Sequence, residues 1–249
     1  MGRRKNWQEW DMAKPRTRKE RRDFLTERAV RFFDYYGDEL ESISQLLKIR
    51  LDQLASAYTV ENKLPREAVN VHSRVKSLPS FLTKLEKTNW PMFRYPTEVI
   101  TDLIGSKVIC WFVDDCYGML DYIQATKQFR IKPRSLEDYI RDPKRTGYRS
   151  IHVLADLSYD RVKTYKKRRT VVEDRMICEI QIRTKLQDAW GEFTHELHCK
   201  VPAEFQADDE TAIAEIARRL AAEDRSALAV RDILQRQAQK EELEDFRND

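Results

Sequence analysis

The chain has 249 residues, of which 41% are hydrophobic and 35% charged, enough apolar content to bury the core of one large domain or two small ones. Lysine and arginine number 46 against 42 aspartates and glutamates, and the resulting net charge of +4 selects no partner by itself. With a mean hydropathy of -0.71, no apolar run of roughly 18 residues that would cross a membrane and no apolar stretch in residues 1–22, neither a spanning helix nor a secretory signal is expected.

Charge is unevenly placed. Arg3, Arg4, Lys5, Lys14, Arg16, Arg18, Lys19, Arg21 and Arg22 crowd the start of the chain against Glu9, Asp11 and Glu20, and Arg161–Arg169 forms a second basic block. Such blocks attract phosphate in nucleotides, RNA or anionic lipid, or serve as solvated faces. Residues 17–62 carry Leu40, Ile43, Leu47, Leu51, Leu54 and Tyr58 at helical spacing. Gly37 is expected to divide this stretch into two helices, and Pro65 closes it. Residues 69–76 alternate and are β-branched, which predicts a strand. Pro79 suits the first turn of a helix running to about Thr88. The apolar run 107–113 has the composition of a central strand covered on both faces, and residues 116–127 follow as a helix.

Residues 149–157 and 175–183 alternate as strands, with the basic block between them as a hairpin loop. A helix is expected over 185–199, and one long or two shorter helices over 209–246, burying Ile213, Ile216, Leu220, Val230, Ile233 and Leu234. The fold class is α+β, a mixed sheet with helices at both ends. The boundaries are a basic N-terminal segment with helices over 1–66, a core over 67–200 and C-terminal helices over 201–249. Cys110, Cys116, Cys178 and Cys199 form no CxxC pair, which suits reduced, semi-buried thiols in the cytosol.

Several residues have side chains suited to phosphate and metal chemistry. Asp102 stands at the mouth of the apolar strand, where an acid either holds a hard divalent cation or caps a turn. Alternation puts Glu179, Gln181 and Arg183 on one strand face, above which lies a polar cleft or solvent; a Glu179 that converged with Asp102 would complete a Mg²⁺ site. In TGYRSIH, Tyr148 offers a platform for a purine ring or fills the core, and Arg149 reaches phosphate or pairs with an acid. Arg74 and Lys76 suit a polyphosphate, with the Arg plane also able to stack on a base, or they protect a strand edge. His195 and His198 lie at i and i+3 and do not make the HExxH of a zinc site; His195 is expected to hydrogen-bond an acid or a phosphate. Walker A, GxGxxG and GxSxG sequences are absent.

The order SRVKS, DLIGSKVICWFVDD, DYIRDPKRTGYRSIH, EIQIRTKLQDAWGEFTHELHCK resembles the RelA/SpoT-type synthetase domain, in particular the small single-domain alarmone synthetases, over roughly residues 40–200. The resemblance implies a nucleotidyltransferase-like mixed sheet and transfer of pyrophosphate from ATP to the 3′-OH of GDP or GTP. It places Arg74 and Lys107 at adenine, with Lys107 standing where the family often has Arg, and Lys76, Ser80 and Lys84 near the ATP phosphates. It places Asp102 and Glu179 on Mg²⁺, with Glu179 also as base. Tyr148 then stacks on guanine, Lys144 meets the acceptor's 5′-phosphates, His152 and Gln181 line the cleft, and Asp188 faces the guanine edge; Arg149, Arg183 and His195 support them. Thr194 precedes His195 where the family often has an acid, a role that Glu192 or Glu196 would then take.

With no HD dipeptide, synthesis without hydrolysis is expected. A bacterial cytoplasmic location and a homotetramer formed through the terminal helices are further implications. Relatives that pyrophosphorylate the 3′ CCA end of tRNA or make adenosine alarmones, with or without an antitoxin partner, stay open, as does an inert nucleotide- or RNA-binding module.

Overall fold

The computed structural model describes Pro15 and residues 17–165, 168–200 and 207–248, with backbone alone for 163–165, 195–200, 207–210, 234–235 and 237–248. Residues 1–14 and Arg16, which carry part of the N-terminal basic block, the side chains of His195 and Cys199, and Lys166 and Lys167 of the second basic block lie outside the described residues.

Helix α1 (Arg18–Glu61) opens the fold and is continuous. Thr17 caps it, its hydroxyl accepting from the Glu20 amide at 3.1 Å. Gly37 does not break it. A glycine costs about 1 kcal/mol in a helix interior, and the buried stripe from Leu25 through Phe32, Leu40, Leu47 and Leu51 to Tyr58 runs straight past it. Strand β1 (Val69–Val75) leads to α2 (Leu78–Lys87), which Ser77 caps and which carries Pro79 in its first turn. Strand β2 is Ile104–Cys110, three residues upstream of the apolar run that suggested it. Phe112 already serves as the N-cap of α3 (Val113–Ala125), its amide donating to Asp115 Oδ2 at 3.2 Å.

Two short strands without a sequence signal, β3 (Phe129–Ile131) and β4 (Glu137–Asp138), precede β5 (Ile151–Tyr165) and β6 (Arg168–Thr184). Arg161–Tyr165 and Arg168–Arg169 of the basic block are therefore strand and not loop, since the β5–β6 ladder continues to Tyr165↔Arg168. Val162, Thr164, Thr170, Val171 and Val172 are β-formers that outweigh the like charges beside them. Helices α4 (Lys185–Lys200) and α5 (Ala207–Asn248) close the chain.

Among the described residues the strands form one sheet in the order β1-β2-β6-β5-β3, with β4 paired to β5. The β2–β6 pair is parallel and the other pairs are antiparallel. One apolar cluster joins α1 and α3 to the face of the sheet carrying Val71, Ile104, Val108, Val153, Cys178, Ile180 and Ile182. Cys110, Cys116 and Cys178 are fully buried in it rather than half-buried, and burial pushes the Cys178 thiol up to about 12. No helix among the described residues is long and apolar enough to cross a membrane.

Candidate active site

The polar residues gather on the opposite face of β1, β2 and β6. Register sets them in two rows. Arg74 pairs with Gly105, and Gly105 with Glu179; one step along, His72 pairs with Lys107, Lys107 with Gln181, and Gln181 with His152. Alternate residues of a strand share a face, so the two rows are stacked on one side of the sheet. Gly105 leaves a gap in the first row, because a Cβ built there meets nothing within 4 Å. Above the rows lies a cavity of about 330 Å³ whose lining includes Arg74, Lys76, Asp102, Lys107, Glu179, Gln181 and Asp188. Seven of the expected site residues thus meet in one place, although Asp102 and Glu179 are far apart in sequence.

Asp102, in the bend before β2, is gripped by two ammonium groups: Lys84 Nζ at 2.7 Å from Oδ1 and Lys76 Nζ at 3.0 Å from Oδ2. Burial works against its charge, but the bonds and charges of Lys84 and Lys76 outweigh it and hold the carboxyl below its usual range. Ser80 lies in the first turn of α2, its hydroxyl 3.0 Å from that of Ser77.

Glu179 is held from two sides. Its Oε1 lies 3.5 Å from His152 Nδ1, and the Gln181 amide donates to its Oε2 at 2.6 Å. Burial again opposes the charge, and so does the neighbouring Asp102, yet His152 and Gln181 hold this carboxyl low as well. The other ring nitrogen of His152 is 2.8 Å from the Tyr148 hydroxyl. Arg183 Nη2 donates to Gln181 Oε1, while its Nε stands 3.7 Å from Asp188 Oδ1. Arg183 is only 4% exposed, and a side chain on Gly191 of α4 would bring a Cβ to 2.6 Å from its Nη1. Lys107 Nζ sits 2.9 Å from both Asp188 Oδ1 and Glu192 Oε1, and it draws the exposed Glu192 carboxyl below its usual range.

Lys144 reaches over the ring of Tyr148 at 5.3 Å, and Arg183 approaches that ring at 5.7 Å. Burial raises the Tyr148 phenol. Arg149 is turned to backbone: its Nη1 donates to the Ile140 carbonyl at 2.6 Å, and burial lowers its guanidinium below the usual value. Tyr139 escaped the sequence analysis. Its ring stands edge-on to His152 at 5.3 Å and 6.1 Å from Tyr148, with Lys144 Nζ 4.2 Å from its centroid. It sits inside the DYIRDPKRTGYRSIH motif, where an aromatic two residues past Glu137 was the available signal.

No cluster of three metal-ligating side chains occurs among the described residues. Two carboxylates in one cavity still fit magnesium, which takes one or two protein carboxylates and fills its other positions with water and substrate phosphates.

Residues 73–204 match the model of the region found in RelA / SpoT proteins, which spans more than half of the chain. The chain belongs to the RelA/SpoT family. The matched region of this RelA/SpoT-family chain contains every expected site residue, and α5 lies beyond it.

Among its relatives, the GTP pyrophosphokinase YwaC of Bacillus subtilis is 32% identical over 156 residues, covering 59% of this chain and 68% of that protein. The GTP pyrophosphokinase YjbM of the same organism is 31% identical over 155 residues, covering 62% and 67%. Among solved structures, a GTP pyrophosphokinase family protein from Streptococcus pneumoniae superposes with a TM-score of 0.65 at 26% identity, over 82% of this chain and 93% of that one. Small alarmone synthetase 1 of Bacillus subtilis bound to its product pppGpp has the same fold, with a TM-score of 0.66 at 24% identity over 84% and 99%. The expected α+β fold, a mixed sheet with flanking helices, is thus the fold of this chain and of these structures.

Proposed function

We propose that the chain is a GTP/GDP pyrophosphokinase, a (p)ppGpp synthetase that transfers the β,γ-pyrophosphate of ATP to the 3′-OH of GDP or GTP and releases AMP. The observation that carries this is the convergence of Asp102 and Glu179 on one cavity whose lining also includes Arg74, Lys76 and Lys107. Two acids among cations suit a polyanionic substrate that brings a divalent ion with it.

In the reaction the ribose 3′-oxygen forms a bond to the β-phosphorus, the α–β bridging bond breaks, and AMP departs with the bridging oxygen. The 3′-hydroxyl proton goes to Glu179 and then to solvent. Glu179 is a weak base by its depressed pKa. Its part is to receive the proton late, while His152 and Gln181 fix the carboxylate against the hydroxyl. Most of the rate comes from alignment and charge neutralisation. Lys76 and Lys84 hold the triphosphate with Ser80 beside them, and Arg74 stacks on adenine.

Tyr148 stacks on guanine and Lys144 meets the 5′-phosphates. Asp188 accepts from the guanine N1–H and amine. The Lys107 and Arg183 contacts to Asp188 both fall on Oδ1, which leaves Oδ2 for that role. Asp102 and Glu179 would hold Mg²⁺, and the bound ion supplies charge neutralisation at the phosphates.

The test is AMP release and labelled pyrophosphate transfer from ATP, with GDP, GTP, ADP, ATP alone and bulk tRNA as parallel acceptors. Transfer to guanosine nucleotides is expected. Transfer to tRNA or adenosine nucleotides in their place would reassign the acceptor, and no AMP release with any of them would overturn the synthetase. Absence of pyrophosphate release from guanosine tetraphosphate in Mn²⁺ is expected of a synthetase without hydrolase activity.

A further inference from the structure

Helix α5 lies outside the residues that match the family model, yet it touches both elements that carry the acceptor-side residues. The first contact is at Gly147, in the left-handed region at φ 76°, whose missing Cβ would stand 2.4 Å from Ala217 Cβ. Only glycine accommodates both that backbone and that approach. Gly147 belongs to the turn in which its amide donates to the Lys144 carbonyl at 2.7 Å and the Lys144 amide donates to the Tyr148 carbonyl at 3.2 Å. Ala217 therefore backs the turn that presents Lys144 and Tyr148. It also packs with Ile213 against Trp190 of α4.

The second contact is Asp224, 4% exposed. One of its oxygens, Oδ2, accepts from Thr184 Oγ1 at 3.0 Å and from Gln187 Nε2 at 2.9 Å. Thr184 in turn caps α4, its hydroxyl accepting from the Gln187 amide at 3.2 Å. Thr184 follows Arg183, and Gln187 precedes Asp188. Burial raises the Asp224 carboxyl above its usual range despite these bonds. A buried carboxylate is a costly way to fasten a helix, since apolar packing does that without desolvating a charge. What the carboxylate adds is a fixed direction for the β6–α4 junction.

We propose that Asp224 is a positioning residue for acceptor recognition: with Ala217 it fixes, from one helix, the Tyr148 turn and the Arg183–Asp188 junction in their mutual register. It touches neither the cavity nor a substrate and acts through Thr184 and Gln187. The assignment of this side to the acceptor rests on the pyrophosphokinase function proposed above.

The experiment measures KM for GDP and for ATP separately, together with calorimetric GDP affinity in the absence of ATP. Asp224→Ala strands two buried donors and is expected to raise the GDP KM and Kd about tenfold with the ATP KM unchanged. Asp224→Asn keeps an acceptor oxygen and is expected to restore GDP binding. Gln187→Met removes one of the two bonds and keeps the Thr184 cap; it should show a smaller split in the same direction, which keeps the test open if the alanine variant folds poorly. Arg231→Ala, on the same helix but bonded to Asp114 of α3, should lower the melting temperature without any split. Equal changes in both KM values for Asp224→Ala, or an asparagine variant as poor as alanine, would overturn the positioning role. A wild-type chain that binds GDP and releases no AMP would overturn the pyrophosphokinase reading while the calorimetric comparison still decides on Asp224; one that binds no GDP or GTP would overturn both.

Discussion

Gly105 pairs with Glu179 across the parallel β2–β6 ladder, so the one residue without a side chain in that row stands beside the proposed base. The gap is not a backbone requirement, because Gly105 is not among the residues with positive φ. It is space kept open between Arg74 and Glu179. Gly105→Val should fold at least as well as the wild type, since a β-branched residue suits a strand better than glycine. Its side chain would fill the floor of the cavity and displace substrate, so turnover should fall at least about 100-fold. A thermal melt alongside AMP release checks both halves; unchanged turnover would mean that substrate does not sit there.

Glu179→Gln should reduce kcat by about 10²–10⁴-fold with ATP binding retained. Because His152 and Gln181 hold the carboxyl below its ordinary value of 4.5, Glu179 stays charged across the neutral range. Its titration should therefore appear in the pH profile of kcat/KM only as an acid limb below pH 4.5. An acid limb assigned to Glu179 near neutrality would contradict the hydrogen bonding seen here.

Tyr148 carries two separable contributions, a ring and a hydroxyl. Tyr148→Ala removes the stacking surface and should raise the acceptor KM, by about 1–3 kcal/mol of binding as base–aromatic stacking is usually worth. Tyr148→Phe keeps the ring and loses the bond to His152 at 2.8 Å. It should leave the acceptor KM near wild type and lower kcat, because His152 is then free to turn away from Glu179. Equal effects on KM and kcat in both variants would show that ring and hydroxyl do not act separately.

The division between what the sequence announced and what it withheld follows the range of the interactions. Period-two alternation placed Glu179, Gln181 and Arg183 on one face without any tertiary information, and the ladder agrees. Pro79 announced α2 for the same local reason. Strand β2 was read late because Gly105 and Ser106 are poor strand formers; its pairing with β1 and β6 decides where it starts. Gly37 misled in the opposite direction, since the packing stripe on both sides of it outweighs one unfavourable residue. The Lys107–Asp188 and Lys107–Glu192 pairs and the grip of α5 on Thr184 depend on register and docking between distant segments, for which one sequence carries no periodic signal.

Acid stability should report on the Lys76–Asp102–Lys84 cluster. Asp102 has a folded pKa below its ordinary 3.8, so folding favours the deprotonated form. Its contribution is complete above that ordinary value and is lost as the pH falls through the lower folded one. Asp102→Asn should therefore flatten the loss of unfolding free energy at the acid end, measured by urea denaturation from pH 6 to pH 3. Asp115 and Asp224, both raised by burial, titrate in the opposite sense but are common to both proteins and cancel in the difference. An identical pH slope in the two proteins would mean that the lysines do not stabilise the carboxylate.

Gly191→Ala sets two effects against each other. Within α4, alanine is the better helix former by about 1 kcal/mol, so an unobstructed site would gain stability. The site is obstructed: the new Cβ would stand 2.6 Å from Arg183 Nη1, and Arg183 is only 4% exposed, with its other atoms engaged by Gln181 and Asp188. The end of an arginine side chain moves more easily than backbone, so the protein should still fold, with a melting temperature close to wild type. The displaced guanidinium then no longer steadies Gln181, which holds Glu179. The expected result is a fall of about tenfold or more in kcat without loss of stability. Arg183→Lys, which keeps the charge but not the planar fork, should reproduce it. If Gly191→Ala instead raised stability and left kcat intact, Arg183 would have room to move and the hydrogen-bonded chain from Arg183 through Gln181 to Glu179 would not be what orients the base.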